Sequence, residues 1–503
     1  MIWSSQAIAF LVLFSELFRT AACVLVIPTF VDLRVPGKNF ATLCPPVLCG
    51  IMLRVADGAE WSDNVGSLLY QIAAASESRG DYATTKSIRV VCKAWLLAAN
   101  GARAIWHPQY GCTSEKVSKL ARSFPNLVGV NLSSCLPRAP VDLEPLLRVA
   151  SLRAFHAGNY ALCIPSASSE ALEQLTALVQ LDFCPLVLGD VTSLKLSQLQ
   201  QLTTLSVRGP EVYTSPGGPD CYEDESVAQH IIQQASSLAQ LQSLCLSRLA
   251  MSEVAWEALR TLSHIRRLSL MEVIHTAYVQ QTSKKPEEHV NARASEVAFA
   301  AVCQLIQLTD LDLQESLVYL KSIKEISSLS LLTKLNLHGA QGVTSLDGLE
   351  QVSGLEWFNM SDLVCVSTLA PLRQLPSLRE LHFPRCINVQ MWGVQAISLL
   401  RKLEVVDMHC CAFSSTWITL LTGLSSLRNL NMSVGNWRDQ DIVQLTHCSS
   451  LSVLKLRDCP STTSSMHRIL KERLPLLKTI EAECSTSGDQ YAGFLGWPYW
   501  ALL

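Results

Sequence analysis

The stretch Leu378-Arg379-Glu380-Leu381-His382-Phe383 decides how this chain is read. Its first, fourth and sixth residues are apolar, and Glu380 and His382 stand between them. Alternation with a period of two is the mark of a short strand with one face buried and the other wet. The same phase returns in Leu355-Glu356-Trp357-Phe358-Asn359-Met360 and in Leu403-Glu404-Val405-Val406-Asp407-Met408. Working outward in both directions, the pattern starts at Leu127, Leu152, Leu178, Leu202, Leu241, Ile265, Leu308, Leu332, Leu355, Leu378, Leu403, Leu427, Leu451 and Leu477. In every copy the fourth and sixth residues are apolar, and the fifth is polar in all but one, Cys245. Chance clustering of apolar residues would not keep that phase through fourteen copies.

Eleven of the thirteen intervals between starts are 23 to 26 residues long. This is the spacing and pattern of a leucine-rich repeat, in which each copy supplies one strand and one returning segment. Segments such as Val364–Gln374 and Trp417–Leu424 carry apolar residues at mixed spacing and read as helices or turns behind the strands. The expected fold class is α/β: a leucine-rich-repeat horseshoe of about fourteen repeats over residues 107–503, with parallel strands on a concave face. At ~4.8 Å per strand that face would run roughly 65 Å. The two long intervals, 39 and 43 residues, place insertions near 209–236 and 272–296. Such insertions become loops on one edge of a solenoid.

The composition agrees with a long continuous core: 49 % of the residues are hydrophobic and 17 % charged, which is too little charge for a disordered chain. A net charge of −3 gives no basic footprint for nucleic acid. The 18 cysteines are spread along the chain without a CxxC pair, so they read as small apolar groups in a reducing compartment. Cys135, Cys386, Cys411 and Cys459 each lie eight residues after a repeat start, where a small side chain can sit at the turn and satisfy neighbouring backbone. No GxGxxG, GxxxxGK[ST], HExxH or GxSxG motif is present. An enzyme is therefore not expected, nor any metal or cofactor.

Residues 1–54 hold two short apolar runs, Ala7–Phe14 and Ala21–Ile27, interrupted by Glu16 and Arg19. They fall short of the ~20 apolar residues of a membrane span, and no basic region precedes Ala7 as in a signal peptide. Residues 55–106 differ in kind from the repeats. Trp61-Ser62-Asp63-Asn64 opens like a helix cap before Val65, Leu68, Leu69 and Ile72 at helical spacing, and the apolar positions of Ser87–Ala99 again suit a helix.

Here the run Ile88-Arg89-Val90-Val91-Cys92-Lys93-Ala94-Trp95 resembles the second half of an F-box, whose core is a Val-Cys-Lys-x-Trp string. The stretch from Trp61 to Ile72 is similar to that motif's first helix, although Asn64-Val65 stands where F-boxes usually carry Leu-Pro. An F-box followed by leucine-rich repeats is the order of the F-box/leucine-rich-repeat family. The resemblance implies a substrate receptor of a Skp–cullin–F-box ubiquitin ligase. Trp61, Val65, Leu68, Leu69, Ile72, Val91, Cys92 and Trp95 would then face or support the Skp-type adaptor. The adaptor would join the chain to a cullin scaffold, and the repeats would hold a protein substrate for proteasomal degradation. The alternative for the same residues is a helical cap closing the solenoid core.

The candidate partner contacts on the concave face are His338, Trp357, Glu380, His382, His409, Lys455 and Arg457, because exposed aromatic and charged groups on a rigid face suit a protein ligand. Three glycosylation sequons begin at Asn131, Asn359 and Asn431, and all fall on the strand row, as the repeat's own composition dictates. The expectation is a cytoplasmic, or nuclear or cytoskeletal, binding protein. The competing classes are a repeat scaffold that is no ligase subunit, and a membrane-anchored or secreted repeat receptor.

Overall fold

A computed structural model describes 105–107 and most of 113–482, without 124–126, 133–141, 158–170, 185–193, 210–224, 276–287, 318, 341, 391–394 and 412–414. It also describes the pairs 34–35, 38–39 and 61–62. The chain divides into two compact units, 1–104 and 105–503. In the first unit Arg34–Val35 and Lys38–Asn39 pair antiparallel, and Trp61–Ser62 is a two-residue strand rather than the expected helix start. Val65, Leu68, Leu69, Ile72, Val91, Cys92 and Trp95 lie outside the described residues, as does the rest of the expected F-box-like helical pair.

The second unit is a leucine-rich-repeat solenoid. Its strands lie side by side in chain order, from Ile105–His107 through Gly129–Asn131, Ala154–His156, Gln180–Phe183, Thr204–Arg208, Ser243–Ser247, Arg267–Ser269, Asp310–Asp312, Lys334–Asn336, Trp357–Asn359, Glu380–His382, Val405–Asp407, Asn429–Asn431 and Val453–Lys455 to Thr479–Glu481. All fourteen expected strands are present, and the strand Ile105–His107 pairs ahead of them, Trp106 opposite Val130. Every junction is parallel and in one register, so Leu335, Phe358, Leu381, Val406, Leu430 and Leu454 form a single row. That register is the repeat spacing made physical: equivalent residues of successive copies become neighbours across the ladder.

The row is fully buried, as are the repeat-start leucines from Leu178 to Leu451 and sixth residues such as Leu337, Met360 and Phe383, while Leu477, Ile480 and Ala482 of the last repeat are half-buried. Burying each such side chain contributes roughly 1.5–3 kcal/mol, which is what repeats the phase. Behind the strands the return is usually a short 3-10 turn, for example Leu349–Gln351 or Ala370–Gln374. Each long interval instead ends in a helix, Ser226–Ala235 in one and Glu288–Val302 in the other. Val227, Ile231 and Ile232 of the first, and Phe299 and Val302 of the second, are buried. The latter part of each insertion is thus core rather than an edge loop.

After each strand the chain turns the same way. The residue seven after the start has a positive φ in nine consecutive repeats, from Arg248 through Glu272, Glu315, Gly339, Asp362, Arg385, Cys410 and Val434 to Asp458, with values of 53–78°. Its N–H reaches the carbonyl one position earlier in the next repeat, as Asp362 to Pro384 at 3.0 Å and Val434 to Arg457 at 2.7 Å. The eighth position then closes the turn. Cys386, Cys411 and Cys459 donate their thiols to the carbonyls of Met360, Phe383 and Met432 at 3.1, 3.2 and 3.4 Å. The Ser316 hydroxyl does the same to Leu270. The cysteines fill the turn role expected of them, and Cys135 lies outside the described residues. Burial pushes the Cys386 thiol up to about 12, and Cys411 well above its ordinary value.

Candidate functional site

The fifth residue of each repeat lies on the row facing away from the buried one, and in all but the strands Gln180–Phe183, Thr204–Arg208 and Ser243–Ser247 it ends its own strand. Asp312, Asn336, Asn359, Asp407 and Asn431 each accept, through Oδ1, the backbone N–H two residues on, at 3.0–3.2 Å. Short Asx side chains do this where longer ones cannot. Two of the sequon asparagines, Asn359 and Asn431, are therefore structural groups of the strand end.

The seven candidate contacts separate into four arrangements. Trp357 and His382, on adjacent strands, meet with tilted rings, centroids 5.5 Å apart and planes at 44°. Glu380 is the direct register neighbour of Trp357, and its carboxylate lies 3.7 Å from His382 Nε2. His338 sits between two carboxylates, 3.3 Å from Glu315 and 3.3 Å from Asp362, and Asp362 in turn pairs with Arg385. His409 is fixed on Asp407, Nδ1 to Oδ1 at 2.7 Å. Lys455 and Arg457 both turn to Glu481, at 3.8 and 2.9 Å. The structure thus brings Trp357, Glu380 and His382 together, ties His338 and His409 into polar ladders beside them, and leaves Lys455 and Arg457 as a separate group near the last strand.

Burial alone would raise the Asp407 carboxyl, but the bonds it receives from His409 and Asn431 outweigh that and hold it below its ordinary range. Asp310 shows the opposite balance. Burial raises its carboxyl despite Lys334 and Arg267 nearby. Asp310, Lys334, Asp362, Arg385 and Asp407 were not singled out from the sequence. Their signal was there in the repeat phase, which puts Asp310, Lys334 and Asp407 on the wet rows and Asp362 and Arg385 on the turn. Among the described residues no group of three or more His, Cys, Asp or Glu is placed to hold a metal ion. No described helix is long and apolar enough to cross a membrane.

The class of protein defined by this register and these turns is the leucine-rich-repeat solenoid. No family model matches the chain, and no curated protein does. Solved structures similar to it include a leucine-rich-repeat protein of Leptospira interrogans, 17% identical over 76% of this chain and 91% of that one, with a TM-score of 0.45. An internalin of Listeria monocytogenes is 16% identical over 73% of this chain and 82% of that one, with a TM-score of 0.39.

Proposed function

We propose that the chain is a non-catalytic protein-binding solenoid serving as the substrate-recognition subunit of a Skp–cullin–F-box ubiquitin ligase. Two features support the division of labour. The open face offers an aromatic and charged patch around Trp357 on a rigid sheet, which suits a protein target. Ahead of the repeats, Val91-Cys92-Lys93-Ala94-Trp95 has the residues of an F-box core, and this run carries the ligase reading. Val65, Leu68, Leu69 and Ile72 would supply the remaining apolar docking set for a Skp-type adaptor, and a separate enzyme would transfer ubiquitin. Cys386, Cys411 and Cys448 are buried and turn their thiols to backbone carbonyls, which fits a reducing cytoplasmic or nuclear setting.

Asn64-Val65 in place of the usual Leu-Pro favours a second reading, a repeat scaffold whose N-terminal segment only caps the core. Capture of the full chain by purified Skp adaptor separates the two. Under the ligase reading the wild type is captured, and a Leu69→Ala, Trp95→Ala double variant with an unchanged circular dichroism spectrum is not. A well-folded wild type that the adaptor fails to capture sinks the ligase reading.

A further inference from the structure

The first strand position runs in register from Asp310 through Lys334, Trp357 and Glu380 to Val405. Neighbouring strands are ~4.8 Å apart, so Glu380 is within one side-chain width of the indole. On the next row the His382 ring closes against Trp357. The Glu380 side chain, on the strand next to the indole, keeps 45% of its surface exposed, and its carboxylate lies 3.7 Å from His382 Nε2. An indole with a carboxylate at its edge is a receptor for a cation. A guanidinium or ammonium lying on the ring gains from the ring quadrupole and meets the carboxylate with its N–H groups.

Charge along the open face points the same way. Towards the ends, cations are matched within the chain: Arg208 by Asp182 at 3.4 Å, Lys455 and Arg457 by Glu481. In the centre the strand rows carry four carboxylates, Asp310, Asp312, Glu380 and Asp407, against two cations, Arg267 and Lys334, both of them register neighbours of Asp310. Carboxylates therefore outnumber cations along the centre of these rows, and Glu380 has no cation as a direct register neighbour, with Trp357 on one side and Val405 on the other.

We propose that the centre of the open face binds an arginine- or lysine-bearing segment of a protein partner, its cationic group lying on Trp357 and pairing with Glu380. This deepens the binding reading and rests on it only for the choice of face.

Fluorescence anisotropy of the full chain with a labelled deca-arginine peptide, beside deca-glutamate, tests it. Deca-arginine should bind saturably and more weakly as salt rises, and deca-glutamate should not bind. Trp357→Ala and Glu380→Lys should each weaken deca-arginine about fivefold or more, since ~1 kcal/mol is at stake in each contact. Trp357→Phe should keep most of the affinity, and Glu472→Lys, on the exposed face of the helix Ser464–Arg473, should keep all of it. If Trp357→Ala unfolds, Glu380→Lys decides, because its side chain is half exposed. Binding of deca-glutamate, no binding of deca-arginine, or binding that a folded Glu380→Lys variant leaves unchanged overturns the proposal. Loss of adaptor capture with these peptide results intact would sink the ligase reading alone. Adaptor capture without them would sink this proposal alone.

Discussion

Two stretches of one solenoid carry the same sheet on different backs. From Leu202 to Leu308 the strands are backed by three helices, Ser226–Ala235, Glu253–Leu259 and Glu288–Val302, each packed on the next. From Leu308 to Leu403 they are backed by 3-10 turns, Lys324–Ser328, Leu349–Gln351, Ala370–Gln374 and Ile397–Leu399. Strand pairing is the same in both, so the ladder does not choose the back. Helices packed side by side want axes roughly 8–10 Å apart, whereas strands advance ~4.8 Å. A helix-backed stretch must therefore find room that a turn-backed stretch does not need. Two of the three helices close the long intervals, and the third, in an interval of ordinary length between them, puts Trp256 into the core. Its ring is fully buried and stacks on His275, with centroids 6.4 Å apart at 14°. The candidate site at Trp357, Glu380 and His382 lies on the thin, turn-backed stretch.

The sharpest way to break that contrast is to empty the thick back. Trp256→Ala should cost about 3–5 kcal/mol, the range for a large aromatic lost from a core. Because repeats couple mainly to their neighbours, faster amide exchange should concentrate in Ser226–Ala235 and Glu288–Val302. Leu349→Ala in the thin stretch removes a smaller buried side chain, and its effect should stay within the flanking turns. Urea unfolding followed by hydrogen exchange checks both. Uniform protection loss across 127–482 after Trp256→Ala would show that the two backs form one cooperative layer.

A smaller effect sharpens the contrast between open face and core. The folded Asp407 carboxyl is held below its ordinary range, so its contribution is present above the unfolded carboxylate pKa and is lost as pH falls through the folded value. Asp407→Asn keeps an Oδ1 to accept the His409 N–H, as Asn336, Asn359 and Asn431 do in their own repeats, but removes the charge and turns the second acceptor oxygen into an NH2 donor. It should lower stability by about 1 kcal/mol at neutral pH, and the gap should narrow as pH falls to ~3, below the unfolded carboxylate value. Urea midpoints at the two pH values measure it. A gap that does not shrink in acid would mean that the charge on Asp407 is not what the His409 contact stabilises.

The contrast also explains what the sequence could tell. The strands were legible because burial on one face writes a period of two into every copy, from Val130 to Ile480. The cysteine turns were legible because Cys386, Cys411 and Cys459 keep one offset. The helices of the thick back were not, because Val227, Ile231 and Trp256 lie at different offsets from their repeat starts and share no phase. At the candidate site, the row of each residue followed from the repeat. The grouping did not, because whether His409 turns to Asp407 or His338 to Asp362 depends on rotamers and not on spacing. The left-handed turn residue was hidden for another reason. Arg248, Asp362, Cys410 and Val434 share a conformation but no side-chain chemistry, so only the phase marks them.

That turn gives the smallest effect and the cleanest comparison within the row. At the same offset Gly339 occupies a φ of 78°, where glycine meets no penalty. Val434 holds 57° with a β-branched side chain, the residue type least suited to it. The left-handed region costs an ordinary residue about 1–2 kcal/mol, and asparagine tolerates it far better. Val434→Asn should therefore raise stability by roughly 0.5–1 kcal/mol, part of the relief being offset by the lost contacts of a half-buried valine. Gly339→Ala should do the reverse, since a Cβ there would also lie 2.8 Å from Glu315 Cγ. Opposite shifts in urea midpoint for this pair would show that the turn row is set by backbone strain. A loss in Val434→Asn equal to that in Gly339→Ala would show instead that side-chain packing at the turn outweighs its backbone, and that the nine turns are held by their ladder hydrogen bonds despite the residues occupying them.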